Sequence, residues 1–147
     1  MIRIYIDTSA LKRPFDDIST PKIALESAAV LSIIGAVEKG ILSIVDSETL
    51  QHENDKNPLT IRREWARRFL GLADLRVKAD EVVGRRARSL EKNGLAPMDA
   101  LHVSTAESAG CDVLITCDDR LIRKSSVINI PVMNPVEFVH NGMRVQT

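Results

Sequence analysis

The chain has 147 residues, 44% of them hydrophobic and 27% charged, with its bases and acids in balance. That length suits one domain spanning residues 1–147 and burying about 70% of its unfolded surface, and the composition excludes a largely disordered chain. No apolar stretch reaches the ~18 residues of a membrane span and the N-terminus carries no signal-type core, so the expectation is a cytoplasmic protein without membrane contact.

Ile2-Arg3-Ile4-Tyr5-Ile6 is a β-rich run closed by the turn and cap residues Asp7-Thr8-Ser9, and it reads as a central first strand. After Lys12-Arg13-Pro14-Phe15-Asp16-Asp17, Pro21 opens a helical pattern through Ile23, Val30, Ile34 and Val37 that closes at Gly40. Ile41 to Val45 is the second strand. Ser47 caps a helix running through Leu50 and Glu53 toward Asn57-Pro58, where the proline turns the preceding residue away from helix.

Two helices are expected over Thr60 to Leu72 and Lys78 to Lys92, and a third from Pro97 to Ala109-Gly110 with proline in its favoured first turn. Val113 to Thr116 is the next strand, Asp119 to Lys124 a short helix or turn, Ile130 to Met133 a last strand and Pro135 to His140 a final helical turn. Strands alternating with helices predict an α/β fold, a three-layer α/β/α domain on a mostly parallel central sheet. Cys111 and Cys117 are spaced unlike a zinc knuckle and read as reduced thiols.

In an open parallel sheet the carboxyl ends of the strands face one crevice. Asp7 follows the first strand, Glu53 lies shortly past the second, Asp99 sits beside Pro97, and Asp118 lies just beyond Val113-Leu114-Ile115-Thr116. Each of Asp7, Asp99 and Asp118 has an alternative use as a helix cap, but their joint placement at one sheet edge favours a shared site. Carboxylates gathered together repel one another, and a hard divalent cation offsets that repulsion. Glu48, nearer the strand end, competes with Glu53 for the second acidic position.

Around these acids, His102 shares a helix face with Asp99 and stands ready to support a carboxylate or a phosphate, with simple packing as its alternative. Thr116 is placed to hydrogen-bond a ligand carboxylate or a metal-bound water, and Asp119 is read as the helix cap beside Asp118 as ligand, with the exchange of those two roles as the alternative. The stretch from Leu59 to Lys92 holds ten bases against five acids, +5 in a chain of zero net charge. A phosphate-gripping surface and a solvated helix face both fit that imbalance. With one Trp, one Tyr and three Phe, base stacking has few partners, so a grip on phosphate is expected, from Arg13, Arg62, Arg63, Arg67 and Arg68. Trp65 either stacks a base or packs in a core or dimer interface.

The quoted segments resemble the PIN-domain family, and in particular its VapC-type toxin nucleases. Ile4-Tyr5-Ile6-Asp7-Thr8-Ser9 is similar to the family's opening, Ser47 with Glu53 to its second acidic position, Asp99-Ala100-Leu101-His102 to its third and Leu114-Ile115-Thr116-Cys117-Asp118-Asp119 to its fourth. Arg13-Pro14-Phe15-Asp16-Asp17 resembles a subgroup signature. The resemblance implies an endoribonuclease dependent on Mg²⁺ or Mn²⁺, a homodimer, and the toxin half of a toxin–antitoxin pair that meets a cognate antitoxin protein. It also implies metal-ligand roles for Asp7, Asp99 and Asp118 and an acidic role for Glu53. An aspartyl-phosphate phosphatase needs a second Asp where Ser9 stands. The alternative reading is a catalytically inactive scaffold that binds RNA or protein.

Overall fold

The computed structural model describes residues 1–142; residues 143–147, part of the expected single-domain span, lie outside the described residues. Strand β1 (Ile2–Ile6) leads into a short helix α1 (Thr8–Leu11), a 3₁₀ turn (Arg13–Phe15), helix α2 (Pro21–Glu38) and strand β2 (Leu42–Ser47). Helices α3 (Glu48–Asp55) and α4 (Thr60–Leu70) precede strand β3 (Leu75–Val77), followed by α5 (Glu81–Lys92) and α6 (Pro97–Ser108). The chain ends through β4 (Val113–Ile115), α7 (Asp119–Ile122), β5 (Val132–Met133), α8 (Pro135–Glu137) and a π-helical turn over Phe138–Gly142.

The sheet is parallel throughout, in the order β3-β2-β1-β4-β5. Helices on both faces make it the three-layer α/β/α fold expected. Its central strands are buried on both sides, as parallel strands covered by helices must be: Ile4, Tyr5 and Ile6 of β1 and every residue of β2 are buried. Leu114, Ile115, Ile33 and Leu90 fill the same core, and Phe138 closes it from the C-terminal end at 1% exposure.

The strand order determines where a site can form. From β1 the chain moves one way to β2 and β3, then returns to β4 on the other side of β1. The reversal opens a crevice beyond the carboxyl ends of β1 and β4. Ile6 pairs with Ile115, so Asp7 and Thr116 leave the sheet side by side, and the Asp7 amide donates to the Ile115 carbonyl at 3.1 Å.

Several elements differ from those expected, most by one or two residues at an end. β3 was not anticipated because it is a three-residue edge strand, Leu-Arg-Val, two of whose residues are exposed, so it lacks the apolar signal of a covered strand. Its pairing consumes Lys78's neighbourhood, and α5 begins instead at Glu81, where the Asp80 side chain accepts from the Val83 amide. The last strand is shortened to Val132–Met133.

Cys111 and Cys117 are free, buried thiols, and burial pushes each up to about 12. A thiol needs its thiolate to react. The native protein at neutral pH is therefore expected to resist Ellman's reagent and to release both equivalents only on unfolding; rapid labelling of the folded chain would contradict this packing.

Candidate active site

Each acid reaches the crevice by a different local device. β1 ends because Asp7, in extended conformation, caps α1: its Oδ1 accepts from the Ala10 amide at 3.1 Å and from Ser9 Oγ at 2.7 Å. Ser9 Oγ in turn accepts from the Cys117 amide and contacts Thr116 Oγ1, while Thr116 Oγ1 accepts from the Asp118 amide at 3.0 Å. Ser9 and Thr116 thus stitch the ends of β1 and β4 together and hold Asp7 rigid. Burial raises the Asp7 carboxyl above its ordinary value, opposed by His102 and by these donors.

Asp118 caps α7, its Oδ1 accepting from the Arg120 amide at 2.9 Å. The cap is therefore Asp118, the alternative to the first expectation, Asp119. The extended backbone falls on Asp118, so Asp119 is already helical and turns outward to Lys22 Nζ at 2.8 Å. That contact holds the Asp119 carboxyl below its usual range.

Asp99 occupies the first turn of α6 but caps nothing; among the described residues no donor reaches its carboxylate. Half-buried, it is raised above its ordinary value by burial and then by the negative charges of Asp118 and Asp7. The three aspartates therefore feel one another.

Glu53 extends from α3, and His102 holds it. His102 Nε2 lies 2.9 Å from Glu53 Oε1, its Nδ1 lies 2.7 Å from Tyr5 Oη, and Tyr5 Oη lies 3.0 Å from Ser47 Oγ. Burial, the largest single influence, raises Glu53, but the hydrogen bonds from His102 and Thr8 and the charges of His102 and Lys12 together outweigh it, and the net effect is downward. An ionised Glu53 accepts only, so Nε2 donates. Burial keeps Tyr5 protonated well above its ordinary value, which lets its hydroxyl donate to Nδ1 and accept from Ser47. His102 is buried and hydrogen-bonded on both ring nitrogens, which fits both the packing residue and the carboxylate support expected of it. Glu48 is exposed and stands apart from the crevice.

Asp7, Glu53, Asp99 and Asp118 line one open cavity of about 370 Å³, together with Thr8, Ser9 and His102. Lys12, Lys56 and Asn57 also line it, and sequence reasoning had given them no role. Lys12 follows α1 directly after Asp7, a local cue; Lys56 and Asn57 follow Glu53 by only three and four positions. Among the described residues, no three His, Cys, Asp or Glu side chains are already drawn together as an ion-holding cluster.

The five arginines expected to grip RNA lie outside this cavity's lining. Arg13 donates to Asp16 at 2.9 Å and pairs with Glu26. Arg62 donates to the Phe15 carbonyl and sits over its ring, Arg63 donates to the Asn57 carbonyl, and Arg67 bridges Asp55 and Glu64. Arg68 borders a groove between α2 and α4 with Ile34 and Trp65. Trp65 is packed edge-on to Phe15, with ring centroids 5.2 Å apart, and stacked near Phe69.

A family model, the PIN domain, matches residues 4–126, a span that contains all four acids. The chain belongs to the PIN-domain family. Among solved structures, this PIN domain is similar to PAE2754 from Pyrobaculum aerophilum, at 19% identity with a TM-score of 0.58, covering 98% of this chain and 90% of that one. It is also similar to VapBC2 from Rickettsia felis bound to a DNA fragment from their promoter, at 15% identity and a TM-score of 0.58, covering 90% of this chain and 98% of that one. At these identities the likeness is one of fold. No curated protein matches the chain. Among the described residues no helix is long and apolar enough to cross a membrane.

Proposed function

We propose that this PIN domain is a divalent-cation-dependent endoribonuclease, the toxin half of a toxin–antitoxin pair acting in the cytoplasm. The observation that carries the reading is the meeting of Asp7, Glu53, Asp99 and Asp118, drawn from four segments, around one cavity. PIN domains are generally nucleases, and PIN nucleases typically use divalent metals. The donor set here fits such an ion: it is all oxygen, and Asp99 has no donor of its own while being crowded by Asp7 and Asp118. Mg²⁺ keeps several waters and needs few protein ligands, which suits carboxylates spaced around a cavity rather than closed on a point. Mn²⁺ suits the same oxygen donors.

Asp7, Asp99 and Asp118 would hold the ion, which when bound lowers the pKa of a water and neutralises charge on the phosphoryl oxygens. The chain's own residues do the rest. Ser9 and the Ala10 amide fix the Asp7 carboxylate, so its second oxygen, Oδ2, keeps one direction. His102 holds Glu53 in its anionic form, which orients a water through hydrogen bonding rather than storing a proton. Lys12 and Lys56 offer point charges to a phosphate at the cavity rim.

A homodimer and a cognate antitoxin follow from the family resemblance. The neighbouring VapBC2 structure supports the antitoxin, and the exposed apolar side chains Leu31, Ile61 and Leu72 are surface that a partner would cover.

The test is incubation of the purified protein with single-stranded RNA and with DNA of the same sequence, in Mg²⁺, in Mn²⁺ and in EDTA. RNA cleavage with either ion and none in EDTA is expected. Cleavage of DNA alone would overturn the RNA assignment, and cleavage undiminished by EDTA would overturn the metal.

A further inference from the structure

A second groove, of about 310 Å³, adjoins the acidic cavity and shares Asp99 with it. Arg120, Arg123 and Lys124, all exposed, line it, and it faces the Gly94-Leu95-Ala96 segment that leads into α6. We infer that this groove binds the RNA backbone next to the cleavage site, through Arg123 and Lys124 with Arg120 at its mouth. The inference rests on the nuclease reading and adds to it the direction in which the substrate lies.

Electrostatics requires such a surface. Four carboxylates in the cavity repel a polyanion until an ion is bound, so a strand that crosses them must be held by positive charge on its flanks. Lys12 and Lys56 stand on the cavity's own rim. The shared Asp99 makes the second groove continuous with the cavity on its α6 side, where the next phosphates along the strand would lie.

The groove is shaped for cations that stay available. Among the described residues, neither Arg123 nor Lys124 is in an ion pair, and Arg120 has only a long contact, 3.7 Å, with Asp118. Arg62, Arg63 and Arg67 instead each donate to a carbonyl or carboxylate of the chain itself, and Arg68, though without an ion pair among the described residues, lines a different groove with Ile34 and Trp65. Lys124 lies close over the backbone at Gly94, where φ is +98° and an added Cβ would stand 2.8 Å from Nζ. Glycine there keeps the wall low enough for the lysine to lie along the groove.

The test compares Arg123→Ala/Lys124→Ala with Arg67→Ala/Arg68→Ala. Binding of a fluorescein-labelled single-stranded RNA of about 12 nucleotides is followed by anisotropy in EDTA across a KCl series, with circular dichroism to verify folding. The first variant is expected to bind about tenfold more weakly, with a salt slope shallower by about 1.4, the loss of two phosphate contacts on a single strand. The second is expected to stay within about twofold of wild type, as its arginines lie away from the path. Wild-type binding in the first variant, or equal loss in both, would overturn the inference, as would a wild-type protein that binds no RNA. The predicted binding pattern in a protein that cuts no RNA with Mg²⁺ or Mn²⁺ would support the groove and remove the nuclease reading instead.

Discussion

Asp99→Asn is expected to lower RNA cleavage by about two to three orders of magnitude, the scale on which losing one charge-stabilising group slows an enzyme, and at the same time to make the ion-free protein more stable at neutral pH. Both effects have one cause. The Asp99 carboxylate receives no hydrogen bond among the described residues, and burial, followed by the charges of Asp118 and Asp7, raises it above its ordinary value. A carboxyl raised by folding stabilises the native state only while protonated: that contribution is complete below the unfolded value and is lost as pH rises through the folded one. Asparagine is neutral at every pH and avoids the loss.

In EDTA, the melting temperature of the variant relative to wild type should therefore climb as pH goes from about 4 to 8. Asp7→Asn should show the same direction, because burial raises Asp7 too and asparagine can still accept from Ala10 and Ser9. A variant that cleaves like wild type, or that is less stable than wild type at neutral pH, would mean Asp99 does not sit among competing charges.

Arg13→Ala is expected to destabilise the fold by about 3 kcal/mol, the cost of leaving a buried charge without its partner. Glu26 on α2 is 1% exposed and relies on two groups. Arg13 Nε stands 3.1 Å from Oε1, off line for a hydrogen bond, so their attraction is that of an ion pair; Asn134, which caps α8, donates to Oε2. Arg13 also donates to Asp16 in the same turn. The Arg13-Pro14-Phe15-Asp16-Asp17 stretch thereby joins the segment after α1 to α2, and through Glu26 to the C-terminal α8.

Urea unfolding of Arg13→Ala and of Arg13→Met/Glu26→Leu would measure this, the double variant recovering most of the loss because replacing a buried pair with apolar groups is often neutral. A single variant that loses less than about 1 kcal/mol yet binds RNA more weakly would return Arg13 to the nucleic-acid surface.

The parts of the fold that could be read along the chain are those whose signal is local. β1, β2 and β4 announce themselves as apolar runs, Ser47 does cap α3 through the Leu50 amide, and Pro97 does open α6. That Asp7 and Asp118 follow β1 and β4 is local as well. What could not be read is whatever depends on contacts between distant segments. His102 meets Tyr5 across 97 positions and Glu53 across 49. The carbonyl and carboxylate partners of Arg62, Arg63 and Arg67 on α4, including the Phe15 carbonyl 47 positions from Arg62, are likewise invisible in sequence. Arg120, Arg123 and Lys124 fall in a stretch of unexceptional composition, and only the fold places them beside Asp99.

Phe138 has a bearing on where this protein ends as a folding unit. The family span stops at residue 126, yet the deepest aromatic plug at the far end and the Asn134 donor to Glu26 both come afterwards. Shortening the polypeptide to the segment that the family model matches would strip an outer ribbon from β4, uncover an oily hole beneath α2 and orphan a charge there. The matched stretch is thus smaller than the unit that must fold.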